Sequence, residues 1–346
     1  MIHRCRLTSG QAVPGARDDA VRQAMHRAGV HEAGVRRADV HDAAVHDAAF
    51  QGPVPHGGPT EAEPSLPAGA AEAFARDGVI VIEDFVSRAA CEALRERALE
   101  LVAELAPRAP GTVFSTRDQR HARDAYFEAS ANRIATFFEE GAFDAQGHLC
   151  VPLERAVNKL GHAMHDLDPV FRGFSAGPRL QAVAQGLGLA DPRLVQSMYI
   201  FKQPGIGGEV GCHQDSTYLY TEPQTVLGLW FAIEDAHRGN GCLGGLAGEH
   251  RRGLKEIFRR QPDGTLKLER LQPDLHWDLA GLEWLEVPQG TLIAFNGSFP
   301  HLSEANRSPK SRHAFTLHAV SAAAHYPANN WIQRRPGIDP PWRGFV

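Results

Sequence analysis

Apolar residues keep two different rhythms along this chain of 346 residues. Up to about residue 190 the helical spacing dominates. Phe74-Ala75-Arg76-Asp77-Gly78 reads as the end of a short helix stopped by glycine. Val79-Ile80-Val81-Ile82 is a β-branched run and predicts a strand. Ser87 is placed to cap a helix through Cys91 and Leu94 to Leu105, where apolar residues recur at steps of three and four. Residues 106–153 carry a mixed pattern that assigns no element. Arg155 to His165 predicts a helix with Ala156, Leu160 and Ala163 on one face, and Leu180 to Leu187 predicts another. Beyond that point the pattern breaks into short β-rich segments: Leu194–Phe201, Val226–Ile233, Thr291–Phe295 and Ala314–Val320, with Asn240-Gly241 as a tight-turn signal. Helices followed by many short strands predict a mainly β fold with packed helices, a β-sandwich or jelly roll.

Residues 1–68 differ from the rest. They are rich in Ala, His, Arg, Gly and Pro and poor in large apolar side chains. Val30, Val35, Val40, Val45 and Phe50 recur every fifth residue, a period that lays no stripe along an α-helix. It resembles a pentapeptide-repeat solenoid, but the run is too short to stack a core. The expectation is a low-complexity, disordered extension over 1–68, followed by one globular domain over 69–346.

Bulk properties narrow the function. A formal net charge of −5 gives no electrostatic case for nucleic acid or an anionic membrane. No apolar run approaches the roughly 18 residues of a membrane span. No apolar segment follows the basic residues near the start, as a signal peptide would need, and the final residues are not a peroxisomal address. Five cysteines without a Cys-x-x-Cys pair fit free thiols in a cytoplasmic protein. Length alone leaves a monomer or a weak homodimer equally open.

The chemistry-bearing stretch is His213-Gln214-Asp215. On a strand, residues two apart share a face, so imidazole and carboxylate converge. With one more histidine the pair makes a 2-His-1-carboxylate grip on iron(II). The chain has 18 histidines, so chance pairs are expected; His3, His26, His31, His41, His46 and His56 lie in the extension and read as solvated. A second His-x-Asp, His276-Trp277-Asp278, follows the turn-like Gln272-Pro273-Asp274 and is the weaker candidate. His301, after strand 291–295 and the Gly297-Ser298-Phe299-Pro300 turn, is the candidate third ligand. Arg312 then has a chemical purpose: its guanidinium suits the free carboxylate of a 2-oxoglutarate cosubstrate. By themselves Arg312 reads as a surface cation, Lys159 as a solvated helix charge, Met198 and Trp230 as core, and Ser303 as a turn residue.

Longer stretches carry a more specific signal. Gln196 to Pro204, Gly207-Gly208-Glu209-Val210, His213 to Pro223, Val226 to Trp230 and Asn240-Gly241-Cys242-Leu243 together resemble the phytanoyl-CoA dioxygenase family of iron(II)/2-oxoglutarate oxygenases. The likeness runs from about residue 70 to the end. It implies a double-stranded β-helix, the jelly-roll or cupin-like architecture, with iron on His213, Asp215 and His301. It also implies 2-oxoglutarate contacts from Arg312, Ser303, Trp230, Met198 and Lys159, O2 as co-reactant and ascorbate as a reductant. Related halogenases carry a small residue where this chain has Asp215, so the carboxylate favours hydroxylation.

The implied reaction consumes O2 and 2-oxoglutarate and gives succinate, CO2 and a hydroxylated C–H bond of a small or medium organic substrate. Gln214, Thr217, Tyr218 and Tyr220 are the substrate-side candidates by proximity. An acyl-CoA would need a basic patch. Arg251-Arg252, Lys255 and Arg259-Arg260 could supply one, although they read first as a solvated helix face. One departure from the family stands out: Gly244-Gly245-Leu246-Ala247 replaces a segment that usually carries a bulky aromatic and a proline, which predicts a wider wall near the site. A metal-binding jelly roll without turnover, and a zinc hydrolase using the same three ligands, remain as other classes.

Overall fold

The computed structural model describes residues 2–6, 66–109, 113, 125–333 and 342–345. The five-residue repeat and most of the expected extension lie outside them. In chain order the strands are β1 (Arg4–Arg6), β2 (Val79–Glu83), β3 (Ile134–Phe138), β4 (Val157–His162), β5 (Pro192–Ile200), β6 (Val210–His213) and β7 (Leu227–Ala232). They continue as β8 (Leu243–Gly245), β9 (Glu256–Arg260), β10 (Leu266–Arg270), β11 (Glu283–Leu285), β12 (Leu292–Asn296), β13 (His301–Ser303) and β14 (Ala314–Ser321). An eight-stranded sheet runs β1-β2-β12-β7-β14-β5-β4-β3, and a four-stranded sheet runs β11-β8-β13-β6. This is the expected mainly β jelly roll with packed helices.

Strand alternation sorts the large sheet into two faces. Leu229, Phe231, Phe315, Leu317 and Tyr199 enter one core with Leu94, Ala98 and Leu101 of helix α2 (Arg88–Leu105). Phe74 of α1 (Ala70–Asp77) joins the same core. Each fully buried side chain of this size is worth about 1.5–3 kcal/mol. The intervening residues Trp230, Thr316 and His318 point to the other face, toward the small sheet. Helices α1 and α2 therefore cover the first face, and the second is left for the small sheet and for chemistry.

The end of α1 and the start of α2 follow the sequence signals. Gly78 is left-handed (φ 78°), and its N–H closes α1 on the Phe74 carbonyl at 2.8 Å. A Cβ at Gly78 would also lie 2.4 Å from the His250 ring, so two constraints select glycine. Ser87 Oγ accepts from the Ala90 N–H at 3.2 Å, the expected N-cap.

Three expectations are corrected. The segment from Arg155 to His165 is not a helix: one turn, Leu153–Ala156, passes into β4, all of whose residues are buried between β3 and β5. A strand buried on both faces does not alternate, so Ala156, Leu160 and Ala163 matched a helical period by coincidence. Arg251 to Arg260 is not a helix face either; it is a 3₁₀ turn (Glu249–Arg252) and strand β9, hairpinned to β10. Finally, Arg4–Arg6 belongs to the sheet. It pairs parallel to Val81–Glu83, and Ile2 is buried against Val79 and Val81. Composition groups these residues with the extension, but the edge of β2 offers unpaired backbone groups, and Arg6 Nε donates to Glu83 at 2.8 Å and Arg4 Nη1 to the Glu286 carbonyl at 2.9 Å.

Candidate functional site

The small sheet assembles the first part of the site. β6 ends at His213, and β13 begins at His301. The two are cross-strand partners, with ring centroids 4.3 Å apart. Asp215 does not continue the strand, as the His-x-Asp spacing predicted. It opens a 3₁₀ turn, Asp215–Thr217, held by the Tyr218 N–H on its carbonyl at 2.9 Å. The carboxylate still reaches back: Oδ1 lies 3.4 Å from His213 Nε2 and 3.8 Å from His301 Nε2. These three donor atoms lie within 4.8 Å of one another, the one such cluster among the described residues.

The outer atoms of the cluster are held as well. His213 Nδ1 donates to the Gly211 carbonyl at 2.8 Å, and His301 Nδ1 donates to the Phe299 carbonyl at 3.0 Å. Both bonds leave the Nε2 lone pairs turned inward, which is what a metal requires. His318, on β14, donates from Nε2 to Asp215 Oδ2 at 2.7 Å. Burial pulls His301 down to about 4, with His213 adding repulsion. Burial also pulls His213 down, but the hydrogen bond and charge of Asp215 outweigh it and leave that ring above its ordinary value. Burial disfavours the Asp215 anion, yet the surrounding imidazoles outweigh it and hold the carboxyl well below the usual range. The donor set is two imidazoles and a carboxylate on one side of an open face, and it suits iron(II).

The second part lies where the large sheet faces the small one. Arg312, just before β14, is 2% exposed and not the surface cation its sequence context suggested. Its Nε donates to the Gly241 carbonyl at 3.1 Å, and Ser303 Oγ donates to the same carbonyl at 2.9 Å. The guanidinium carbon stands 5.4 Å from the Trp230 ring centroid. Arg312 Nη1 is buried without a protein partner. Burial lowers Arg312 to about 10. Thr316 of β14 pairs with Trp230 on one side and Met198 on the other, so these two residues flank one strand on the concave face. Lys159, on β4 rather than a helix, is buried with Nζ 3.8 Å from Met198 Sδ, and burial lowers it to about 7.

The eight expected site residues thus form two groups, the His213–Asp215–His301 cluster and the Arg312, Ser303, Trp230, Met198 and Lys159 neighbourhood, while the remaining candidates separate. Gln214 is a brace: its amide nitrogen donates to the Gly253 and Ser298 carbonyls at 2.9 and 2.7 Å, and its oxygen accepts from the Lys255 N–H at 2.9 Å. Tyr220 turns outward and donates to Glu222 at 2.9 Å. Tyr218 stays, its ring 6.5 Å from that of His213; burial and then the Asp215 charge push its phenol up to about 12. Thr217 is buried beside it. The rival His276 and Asp278 are exposed, and Asp278 caps a 3₁₀ turn through Ala280 at 2.9 Å.

Gly244 and Gly245 do not widen the wall. A Cβ on Gly245 would lie 2.2 Å from the Phe299 ring, and one on Gly244 would lie 3.0 Å from Trp284. The aromatic bulk arrives from β11 (Trp284) and from the turn between β12 and β13 (Phe299) and fills the space, and Phe299 lies parallel to His301 at 6.2 Å. The sequence reasoning missed His318. The available signal was its alternation in β14, two residues from Thr316 and out of phase with Phe315 and Leu317.

The comparisons agree with this geometry. A family model for phytanoyl-CoA dioxygenase (PhyH) matches residues 74–314. A phytanoyl-CoA dioxygenase of Arabidopsis thaliana is 42% identical over 268 residues, covering 77% of this chain and 93% of its own. Phytanoyl-CoA dioxygenase domain-containing protein 1 of Mus musculus is 43% identical over 273 residues, covering 77% and 94%. In fold, the chain is similar to the non-heme α-ketoglutarate-dependent carbocyclase SnoK from nogalamycin biosynthesis, with a TM-score of 0.55, 20% identity and coverage of 79% and 90%. It is also similar to EctD from S. alaskensis with bound Fe, with a TM-score of 0.52, 21% identity and coverage of 83% and 87%. The family match and the two relatives at 42% and 43% identity place the site in its chemistry: the chain belongs to the phytanoyl-CoA dioxygenase family and is an iron(II)- and 2-oxoglutarate-dependent oxygenase.

Proposed function

We propose that this oxygenase hydroxylates a C–H bond of a small or medium organic substrate, converting O2 and 2-oxoglutarate to succinate and CO2. Iron supplies activation of O2 when bound. His213, Asp215 and His301 hold it, and the Nδ1 bonds to Gly211 and Phe299 keep both rings oriented. Arg312 would take the far carboxylate of 2-oxoglutarate, with Lys159 as a second donor and Ser303 bracing the Gly241 carbonyl that Arg312 also bonds, and Trp230 and Met198 would wall the cosubstrate off from water. Tyr218 and Thr217 face the substrate. The observation that carries the reading is Arg312 Nη1: a buried guanidinium donor without a protein partner is costly unless an anion completes it.

A small substrate is favoured over an acyl-CoA because the basic residues past Gly248 are already engaged. Arg252 pairs with Glu249 at 2.8 Å, Arg259 with Glu269 at 2.6 Å and Arg260 with Glu128 at 2.5 Å. Arg251 bonds the Arg76 carbonyl at 2.7 Å, and Lys255 stands over Trp277. No helix of the described residues is long and apolar enough to cross a membrane, and all five cysteines are free. We place the protein in the cytoplasm as a monomer or weak homodimer. Its catalytic domain is residues 69–346, with residues 2–6 added at the sheet edge.

The test is succinate release by iron-loaded protein across a metabolite extract and an acyl-CoA panel, with products read as a gain of one oxygen. Asp215→Ala should fall to background. No succinate above that control in any fraction overturns the oxygenase reading in favour of a binding role. Turnover confined to acyl-CoAs overturns the substrate class alone.

A further inference from the structure

We propose that His318 is a positioning residue that holds Asp215 to the metal through one oxygen. This rests on the reading above, in which Asp215 is a ligand. A carboxylate offers two equivalent oxygens, and the two of Asp215 are not in equivalent places. Oδ1 is the atom that faces His213 and His301, at 3.4 and 3.8 Å. Oδ2 is turned away and accepts from His318 Nε2 at 2.7 Å. The difference matters for the reaction. 2-Oxoglutarate takes two coordination positions and O2 a third, so three positions must stay open. A carboxylate that swings to bind through both oxygens closes one of them. Asp215 sits in a 3₁₀ turn, outside the strand ladder that holds His213 and His301.

His318 is the opposite. It lies inside β14, between β7 and β5, in register with Gly228 and Gln196, and is 3% exposed. β14, paired on both sides and with a register shift against β5 just after His318, thus supplies the donor that the turn cannot. His318 completes a pattern in which every candidate ligand has an outer partner. His213 has the Gly211 carbonyl and His301 has the Phe299 carbonyl; Asp215, an acceptor, needs a donor and has an imidazole N–H.

The experiment measures Co(II) binding and the Co(II) visible spectrum for wild type, His318→Leu and His318→Gln. Leucine removes the donor, while glutamine places an amide N–H near the position of Nε2. His318→Leu is expected to bind Co(II) about 10–100-fold more weakly, with weaker ligand-field bands as the coordination number rises. His318→Gln should recover both. If the leucine variant does not fold, as judged by melting of the apo protein, His318→Asn replaces it, since its amide is too short to reach. Unchanged affinity and spectrum in a folded donor-less variant overturn the proposal. So does a folded glutamine variant that behaves like the leucine one. Wild type that fails to bind Co(II) overturns the metal site itself, and the two failures are thereby distinguished.

Discussion

The two ends of the site are built on opposite terms. At the His213–Asp215–His301 end each ring donates its Nδ1 proton to a backbone carbonyl, and the carboxylate accepts from His318 through Oδ2 while Oδ1 faces the two rings. The outer atoms of the cluster have protein partners before any ligand arrives. At the Arg312 end the reverse holds. A guanidinium is buried with one nitrogen lacking a protein partner, and Lys202, also buried, adds to its repulsion. The first end holds its ligand atoms in place by hydrogen bonds within the protein. The second holds a buried guanidinium nitrogen without a protein partner, which a dicarboxylate would satisfy. Metal affinity should therefore depend on positioning bonds, and cosubstrate affinity on desolvated charge.

The sharpest break of this contrast is Arg312→Met. It should weaken 2-oxoglutarate binding by about 2–5 kcal/mol, roughly thirtyfold to a few thousandfold, measured as KM or by titration of the metal-loaded protein. The same variant should leave the melting temperature of the apo protein equal or higher, because the buried unpaired donor is gone. A large loss of apo stability would mean that Arg312 is structural and would dissolve the comparison.

Gly245→Ala probes the metal end through packing. The added Cβ meets the Phe299 ring at 2.2 Å, and Phe299 lies against His301. Overpacking of this kind costs about 1–3 kcal/mol. Chemical denaturation should show that loss, and Co(II) affinity should fall while the effect on 2-oxoglutarate stays smaller. Equal stability of Gly245→Ala and wild type would mean that the glycine pair is not reserved for aromatic packing.

A further test of the Arg312 end concerns pH. Burial, reinforced by Arg312, lowers Lys202 from an ordinary 10.5 to about 7. Below pH 7 the lysine is charged in both states, and the folded protein bears the full cost of burying it. Between 7 and 10.5 the unfolded chain holds a proton that the folded one lacks, so stability rises with pH across that window. Apo wild type should therefore gain on Lys202→Met from pH 7 to pH 10 in parallel denaturation curves. A difference that stays flat across the window would show that Lys202 keeps its charge in the fold.

Much of the site was legible, for identifiable reasons. His213, Asp215, His301 and Arg312 sit in short stretches whose residue types have few other uses together. The strands 194–201, 226–233, 291–295 and 314–320 announced themselves by β-branched and aromatic runs. Lys159 was placed in the site by resemblance alone, and its element was misread, because β4 is buried on both faces and loses the alternation that marks a strand. Gln214 lies between two candidate ligands, a position that suggests a substrate contact. Its side chain instead ties Gly253, Lys255 and Ser298 together, which no local pattern reveals.

The sequence by itself determined what short-range geometry can determine. It set the glycine stop at Gly78, the serine cap at Ser87, the mainly β texture after residue 190, and a carboxylate two residues from a histidine. The tertiary structure alone decided which distant groups meet. The pairing of β13 with β6 sets His301 beside His213, and one carbonyl, Gly241, gathers Ser303 and Arg312. The centre of β14 delivers His318 to an oxygen of Asp215. The physical reason is that backbone period and turn chemistry act over a few residues. Strand register across a sheet is fixed by the burial of whole faces, which no single stretch of sequence contains.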